Sequence, residues 1–471
     1  MGWRDGSISL RAFMMLVAIV PTAAMAAVAA LRHMTMFGEW QSLSSATIVF
    51  VGAWHLLLAG GILLGGLATL PPRRATLVES ISVNKIVAGM SVLALLGACL
   101  LTYEFAIERS YGFDTPINDI RVGEVNRAVN GFVGSWLGGL GRVLVAALTV
   151  AWVAACMRWA ELRWRSLAAM AFCTVGVFAY QAKFEGGRFF FTAMLLACLF
   201  ASVLHFAKQS AAKGGVISLR SLRAVHLQPI VLLVALFVGI WSYNSYVFVS
   251  RGEYAATKIE SQPNGGSPGS AAQGAAQTEG ERYAAIYKRF AAYFPIDTRM
   301  VDAGSFDRTR LQMAMGWIYV THGLSHFDLV INQDDFVFGY GSFQFSQLAQ
   351  VASKLLGRNL RYIGNLPIDG TYVTLAGAAY VDFGLIPGLL FAVVLGVALG
   401  CTVSVALSRQ GSVLEFVAPI LFAVLLFAPV SSIIPSLWPS VAWIMVIYII
   451  ERSELFQVPG RILGARGSER R

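Results

Sequence analysis

The sequence predicts an all-α, polytopic integral membrane protein of about ten spanning helices, with one large loop on the face opposite the cytoplasm. Three observations carry this expectation. Of 471 residues, 56% are hydrophobic and only 13% charged, and mean hydropathy is +0.64. A soluble domain is usually about 25% charged, so a water-facing surface of this size would be under-supplied. Apolar runs recur at about the 20 residues needed to cross a bilayer. Finally, connections rich in Lys and Arg alternate with poor ones.

Taken in order, the apolar segments run approximately 12–31, 44–70, 85–107, 132–157, 166–182, 187–207, 228–248, 378–407, 413–432 and 437–450. The first is preceded by Arg4 and Arg11 and carries small residues around Ala24 to Ala30, as a signal peptide would. Its apolar run continues through the would-be cleavage site, so an uncleaved first helix is expected.

The basic-rich connections hold Arg73, Arg74 and Lys85; Arg158, Arg163 and Arg165; Lys208, Lys213, Arg220 and Arg223; Arg409; and both chain ends. These are expected to be cytoplasmic, with both termini inside. The net charge of +10 is spread through such small clusters and forms no single basic stripe, which argues against a nucleic-acid partner. All five cysteines lie in apolar runs and read as structural thiols.

Four regions follow: a transmembrane part over 1–248, a large loop over 249–377, a second transmembrane part over 378–450 and a basic tail over 451–471. Between 249 and 370 there are eleven basic and eleven acidic residues, so the loop contributes no net charge. Its Gly-, Ser-, Ala- and Gln-rich stretch 261–280 reads as a disordered tether. The remainder carries Tyr283, Tyr287, Phe290, Tyr293, Phe294, Trp317, Tyr319 and Phe336, enough aromatic surface to pack on something. Leu311–Val320 is apolar but too short to cross, which predicts an amphipathic or re-entrant segment over 311–331 resting on the membrane surface as a lid.

Four constellations on the outer side have residue types suited to chemistry. Lys183 to Arg188 (KFEGGR) opens the sixth helix; a helix N-terminus, the glycines ending in Gly187 and the fixed charge of Arg188 could hold a pyrophosphate. The plainer reading is a snorkelling arginine beside a flexible turn. Arg142, about ten residues or roughly 15 Å into a helix starting near Phe132, should face a polar cavity or a partner such as Glu104.

His322 and His326, four apart after Tyr319, share a helix face and could bind metal. No third ligand is evident, so zinc is not expected. A neutral imidazole there could act as a general base, or both could be surface histidines. Asp369 and Asp382 stand where the loop re-enters the membrane, as sugar ligands, a base, or simple turn and cap residues.

Over roughly 180–400 the chain resembles the bacterial oligosaccharide repeat-unit polymerases, the Wzy-type O-antigen and exopolysaccharide polymerases. The likeness is carried by the pair Gly187-Arg188, by Tyr319–His326 with the turn Phe338-Gly-Tyr-Gly341, and by Thr371 through Tyr380-Val-Asp-Phe-Gly384 to Gly388. The tether at 261–280 is not part of that pattern.

The resemblance implies a GT-C-like, metal-independent membrane glycosyltransferase without a cofactor. Its substrate would be undecaprenyl-pyrophosphate-linked oligosaccharide, with a chain-length regulator and a flippase as pathway partners. Arg188 and Arg142 would neutralise the leaving pyrophosphate, and His322 or Asp382 would take the acceptor proton. Gly187, Asp369, Tyr319 and His326 would line the glycan site. An O-antigen ligase would need the same groups, and a non-enzymatic exporter would instead spread polar residues along several helices.

Overall fold

The computed structural model describes chiefly residues 7–68, 82–112, 135–185, 188–212, 279–358, 373–408 and 413–452, apart from single positions. The expected span 228–248 and tether 261–280 fall almost wholly outside the described residues, as do Gly187, Asp369 and nearly all of the tail.

The described residues are mainly helical, with two minor two-stranded ribbons among them. Among the described residues, seven helices are long and apolar enough to cross a membrane: Arg11–Arg32, Ser45–Leu67, Val83–Glu108, Trp136–Met157, Trp164–Phe184, Phe190–Gln209 and Leu385–Leu407. Val413–Phe427 and Leu437–Glu451 are apolar but shorter. Large aliphatic side chains such as Val49 and Leu56 point outward at 69% and 72% exposure, as lipid-facing residues do.

In sequence order the spanning elements are α1 (Leu10–Arg32), α2 (Ser45–Ala68), α3 (Val83–Tyr103), α4 (Trp136–Val145), α5 (Ala147–Met157), α6 (Trp164–Tyr180) and α7 (Arg188–Ala212). The loop supplies α8 (Glu279–Ala291), α9 (Arg308–Ile331), α10 (Ser346–Leu356) and α11 (Leu375–Phe383). The chain then re-enters as α12 (Leu385–Ser408), α13 (Val417–Phe427) and α14 (Ile434–Arg452).

Two expected boundaries move. The helix expected from Phe132 opens at Trp136, where the Ser135 hydroxyl accepts the Gly138 N–H at 3.1 Å. The span expected over 378–407 is two helices, because Gly384 at φ +77° breaks the chain between α11 and α12. A side chain there would be strained and would press on the Phe338 ring.

Small residues set the closest packing. Gly61 and Gly65 of α2 meet Gly396 and Gly400 of α12, and a Cβ at Gly65 or Gly400 would fall 2.4 and 2.2 Å from a facing carbonyl oxygen. This is the small-xxx-small device by which membrane helices bring backbones together where no hydrophobic drive separates protein from lipid. Gly97 and Gly141 do the same for α3 and α4. The α4–α5 pair is the bundle's central post, with every residue from Leu144 to Met157 buried. Where it breaks at Ala146, α14 adds side-chain hydrogen bonds to the local carbonyls. Ser440 Oγ donates to the Ala146 carbonyl at 2.8 Å, and Trp443 Nε1 to that of Val143 at 2.8 Å.

Buried charge marks both ends of the bundle. At one end Glu415 is fully buried and takes both Arg158, at 2.7 Å, and Lys208. These two cations come from connections that the sequence reads as cytoplasmic. At the other end α9 docks on α1, α2 and α11.

The loop builds a second hydrophobic core around Phe37, Trp40, Ile286, Tyr287, Phe306, Leu311, Met315, Trp317 and Ile318, joining α8, α9 and the α1–α2 connection. A ribbon pairs Glu39–Trp40 with Ile296–Asp297, and the Tyr287 hydroxyl donates to the Phe37 carbonyl. The loop aromatics thus pack on one another. The segment expected over 311–331 lies within α9. That helix has 24 residues, and from Thr321 to Phe327 all of it is buried. Polar residues in that half kept its burial from registering as an apolar run.

Candidate functional site

The site is built on α9. The Asp307 carboxylate caps its N-terminus, accepting the Arg310 N–H at 2.6 Å. Thr321, His322, Ser325 and His326, at helical spacing, form one buried polar face. Gly323 lies where a Cβ would meet the Val430 carbonyl oxygen at 2.7 Å, so it admits the α13–α14 connection and does not merely weaken the helix.

His322 is 2% exposed, and its Nδ1 lies 3.1 Å from the carbonyl oxygens of both Ile318 and Tyr319. A carbonyl only accepts, so Nδ1 carries the proton and Nε2 is the basic nitrogen of the neutral ring. Burial pulls its pKa below 6.5, against the smaller opposing effect of those carbonyls. The imidazole is therefore neutral near pH 7. Phe294 and Tyr319 meet it edge-on at 5.6 and 6.0 Å, and Tyr319, half-buried, stacks on Phe290 at 6.0 Å. His326, one turn on, is 1% exposed.

Arg32, at the end of α1, is the cation the sequence reading passed over. It is buried, and donates to Ser325 Oγ at 3.1 Å through Nη2 and to the Gln41 carbonyl, with the Trp40 ring 5.5 Å away. Trp40 packs at 5.5 Å on Trp317, whose Nε1 donates to the Leu31 carbonyl at 2.7 Å. An arginine in a sparsely basic connection was the signal available for it. Nearby, Asp328 accepts from the Ser44 N–H and hydroxyl and the Thr47 hydroxyl at 2.8, 2.7 and 2.7 Å, and so caps α2.

The two stretches Phe338–Gly341 and Tyr380–Gly384, separate in the sequence, form one unit. Gly339 and Tyr340 donate their N–H groups to the carbonyls of Val381 and Asp382 at 2.8 Å each. The Asp382 carboxylate accepts the N–H groups of Phe343 and Gln344 at 2.9 Å each. Burial pushes its carboxyl up, opposed by the N–H groups of Phe343, Gln344 and Gly341. Asp382 thus acts as a backbone clamp in this structure, with its oxygens turned to the loop. Tyr380 gathers Phe327, Phe336 and Phe338 within 6.2 Å, which joins α11 and this turn to α9.

The remaining sequence candidates are dispersed. Arg142 lies six residues into α4, about 9 Å from its start. It is half-buried, and shallower than expected from a start at Phe132. Glu104, its expected partner, pairs with Arg109 at 2.5 Å and takes the Ser135 N–H at 3.1 Å. Lys183 donates to the Thr115 carbonyl at 2.7 Å in the turn that closes α6. Arg188 is the first residue of α7, as expected of a helix-opening cation, and its side chain lies outside the described positions. The structure therefore assembles His322, His326 and Tyr319 with Arg32 on one helix face, and Asp382 on the helix packed beside it.

No family model matches this chain, and neither a curated protein nor a solved structure does.

Proposed function

We propose that this protein is a membrane glycosyltransferase that joins lipid-pyrophosphate-linked oligosaccharide units into a long polymer outside the cytoplasm. The motif resemblance to Wzy-type polymerases suggests the reaction. The observation that carries the reading is His322: a buried imidazole, neutral near pH 7, with its Nδ1 proton committed to backbone carbonyls. That is the state a general base requires.

In the proposed step an acceptor hydroxyl oxygen bonds to the anomeric carbon of the donor as the carbon–oxygen bond to pyrophosphate breaks. The hydroxyl proton passes to His322 Nε2. The bonding pair leaves with the lipid pyrophosphate, whose charge Arg188 meets at the α7 N-terminus. Tyr319 and His326 line the sugar side. Asp382 supports the turn at this end of the bundle, which leaves the base role to His322. Both termini lie in the cytoplasm, and the lipid carrier stays in the bilayer throughout.

The test is a gel of lipid-extracted and cell-surface polysaccharide from a deletion strain, with and without the restored gene. Loss of high-mass polymer while lipid-linked single repeats accumulate is expected. Normal long polymer stranded on its carrier would mark a ligase instead, and unchanged glycans would overturn the proposal.

A further inference from the structure

α10 is amphipathic the wrong way round for a helix packed in water. Leu348 and Leu355, seven residues apart, share one face, with Ala352 between them. That apolar face points away from the protein: Leu348 is 48% exposed, Leu355 81% and Leu356 65%. The opposite face is polar and begins with Ser346. Nearer the protein, Ser353 Oγ donates to the Ala349 carbonyl at 2.6 Å and accepts the Leu360 N–H at 2.8 Å. A soluble lobe would bury the leucines.

The helix next to α10 points to what covers this face. α10 contacts α4, the first segment of a membrane span, and on α4 Trp136 and Leu140 are themselves 66% and 41% exposed. An exposed tryptophan in the first turn of a span is typical of the bilayer interface, where its ring sits at headgroup level. Exposed Arg358 follows α10 directly, within reach of phosphate when the leucines lie among acyl chains. Leucines on one face and a flanking cation are the pattern of a helix lying in the plane of the membrane.

We propose that α10 is an interfacial helix whose Leu348, Leu355 and Leu356 insert into the leaflet on the α9 side, with phospholipid as their partner. This assignment is independent of the reaction catalysed.

The test places the photoreactive p-benzoylphenylalanine at single positions of the full chain in membranes grown on radiolabelled fatty acid. Replacing Leu355 or Leu348 should, after irradiation, attach several-fold more lipid label than replacing Met300, which is 88% exposed on the loop lobe. The level should approach that of Leu140 on α4, and Ser346, on the opposite face of α10, should stay near the Met300 level. Lipid labelling at 355 and 348 no higher than at 300, labelling at 346 equal to that at 355, or attachment to a protein in place of lipid would overturn the proposal. Two test positions on one face keep the result readable if either substitution disturbs folding.

Discussion

The carboxylate of Asp382 accepts the backbone N–H of Gln344 at 2.9 Å, while its own carbonyl accepts that of Tyr340 at 2.8 Å. One residue thus fixes both sides of a turn that includes two left-handed positions, Tyr340 at φ +49° and Gly341 at φ +89°. Asp382→Asn retains one acceptor oxygen and sets an amide donor against a backbone N–H. The expected cost is about 1–3 kcal/mol, with Asp382→Ala more severe. Thermal unfolding of the purified protein should show the loss, and a wild-type midpoint for Asp382→Ala would remove the clamp.

His322 gives a pH signature with a definite sign. Burial lowers its folded-state pKa below 6.5, so the unfolded chain binds the proton more readily. The stabilising contribution is complete above the unfolded value and is lost as pH falls through the folded one. His322→Gln should flatten this acid limb in an unfolding series between pH 7.5 and pH 5, both set as conditions around the ordinary histidine value of about 6.5. The same variant should abolish long polymer at neutral pH while the protein remains folded. An unchanged chain-length profile would remove His322 from the proposed step.

Arg188→Ala tests the proposed anion site at the α7 N-terminus. Loss of one fixed cation facing a developing charge is expected to lower transfer by about 100- to 1,000-fold. Intact polymer from a variant at wild-type abundance would exclude this role.

Glu415 sits between two cations in a fully buried position. Glu415→Ala leaves Arg158 and Lys208 facing each other without a counter-charge and should cost about 3–5 kcal/mol. Membrane abundance and unfolding midpoint would both fall. Arg158→Met and Lys208→Met together with Glu415→Leu should recover much of the loss, because removing all three charges also removes the need for compensation.

Gly400→Val would drive a branched side chain into the Ile62 carbonyl of α2, since even a Cβ there lies at 2.2 Å. Separation of α2 from α12 is expected, at a cost of about 1–3 kcal/mol or more. Gly52→Val, on the same α2 with open space around a Cβ, should have little effect. Equal midpoints for the two variants would contradict the close-packing reading.

The membrane class and most helix positions were legible because bilayer thickness imposes a length that apolar runs must meet. Boundaries depended on contacts the runs do not contain. The start of α4 is set by one serine hydroxyl, and the break at Gly384 by a glycine conformation beside a ring from a distant turn. The spacing of Gly61, Gly65, Gly396 and Gly400 was present to be read as helix packing and was passed over. At the site, helical spacing brought His322 and His326 together as expected. The burial of that face was hidden, because the groups against it come from elsewhere in the chain: Phe294 against His322, Arg32 on Ser325 and the Val430 carbonyl beside Gly323. The work of Asp382 could not be inferred locally, since its partners are backbone N–H groups about forty residues earlier, at Phe343 and Gln344. Arg32 escaped notice because nothing around it in the sequence announces Ser325 or Trp317.

The break at Ala146 bears on how the protein is made. Carbonyls of Val143 and Ala146 emerge early from the ribosome, but the donors that complete them, Ser440 and Trp443, arrive nearly three hundred residues later. Until they arrive the α4–α5 junction lacks these side-chain hydrogen bonds from α14, so the central post reaches its final state only once the last helix is in place. The same delay separates α2 from α12. Biogenesis must therefore keep the early helices in an open, provisional arrangement until the last helix is inserted, and chains terminated before Ile434 would be substrates for membrane quality-control proteolysis.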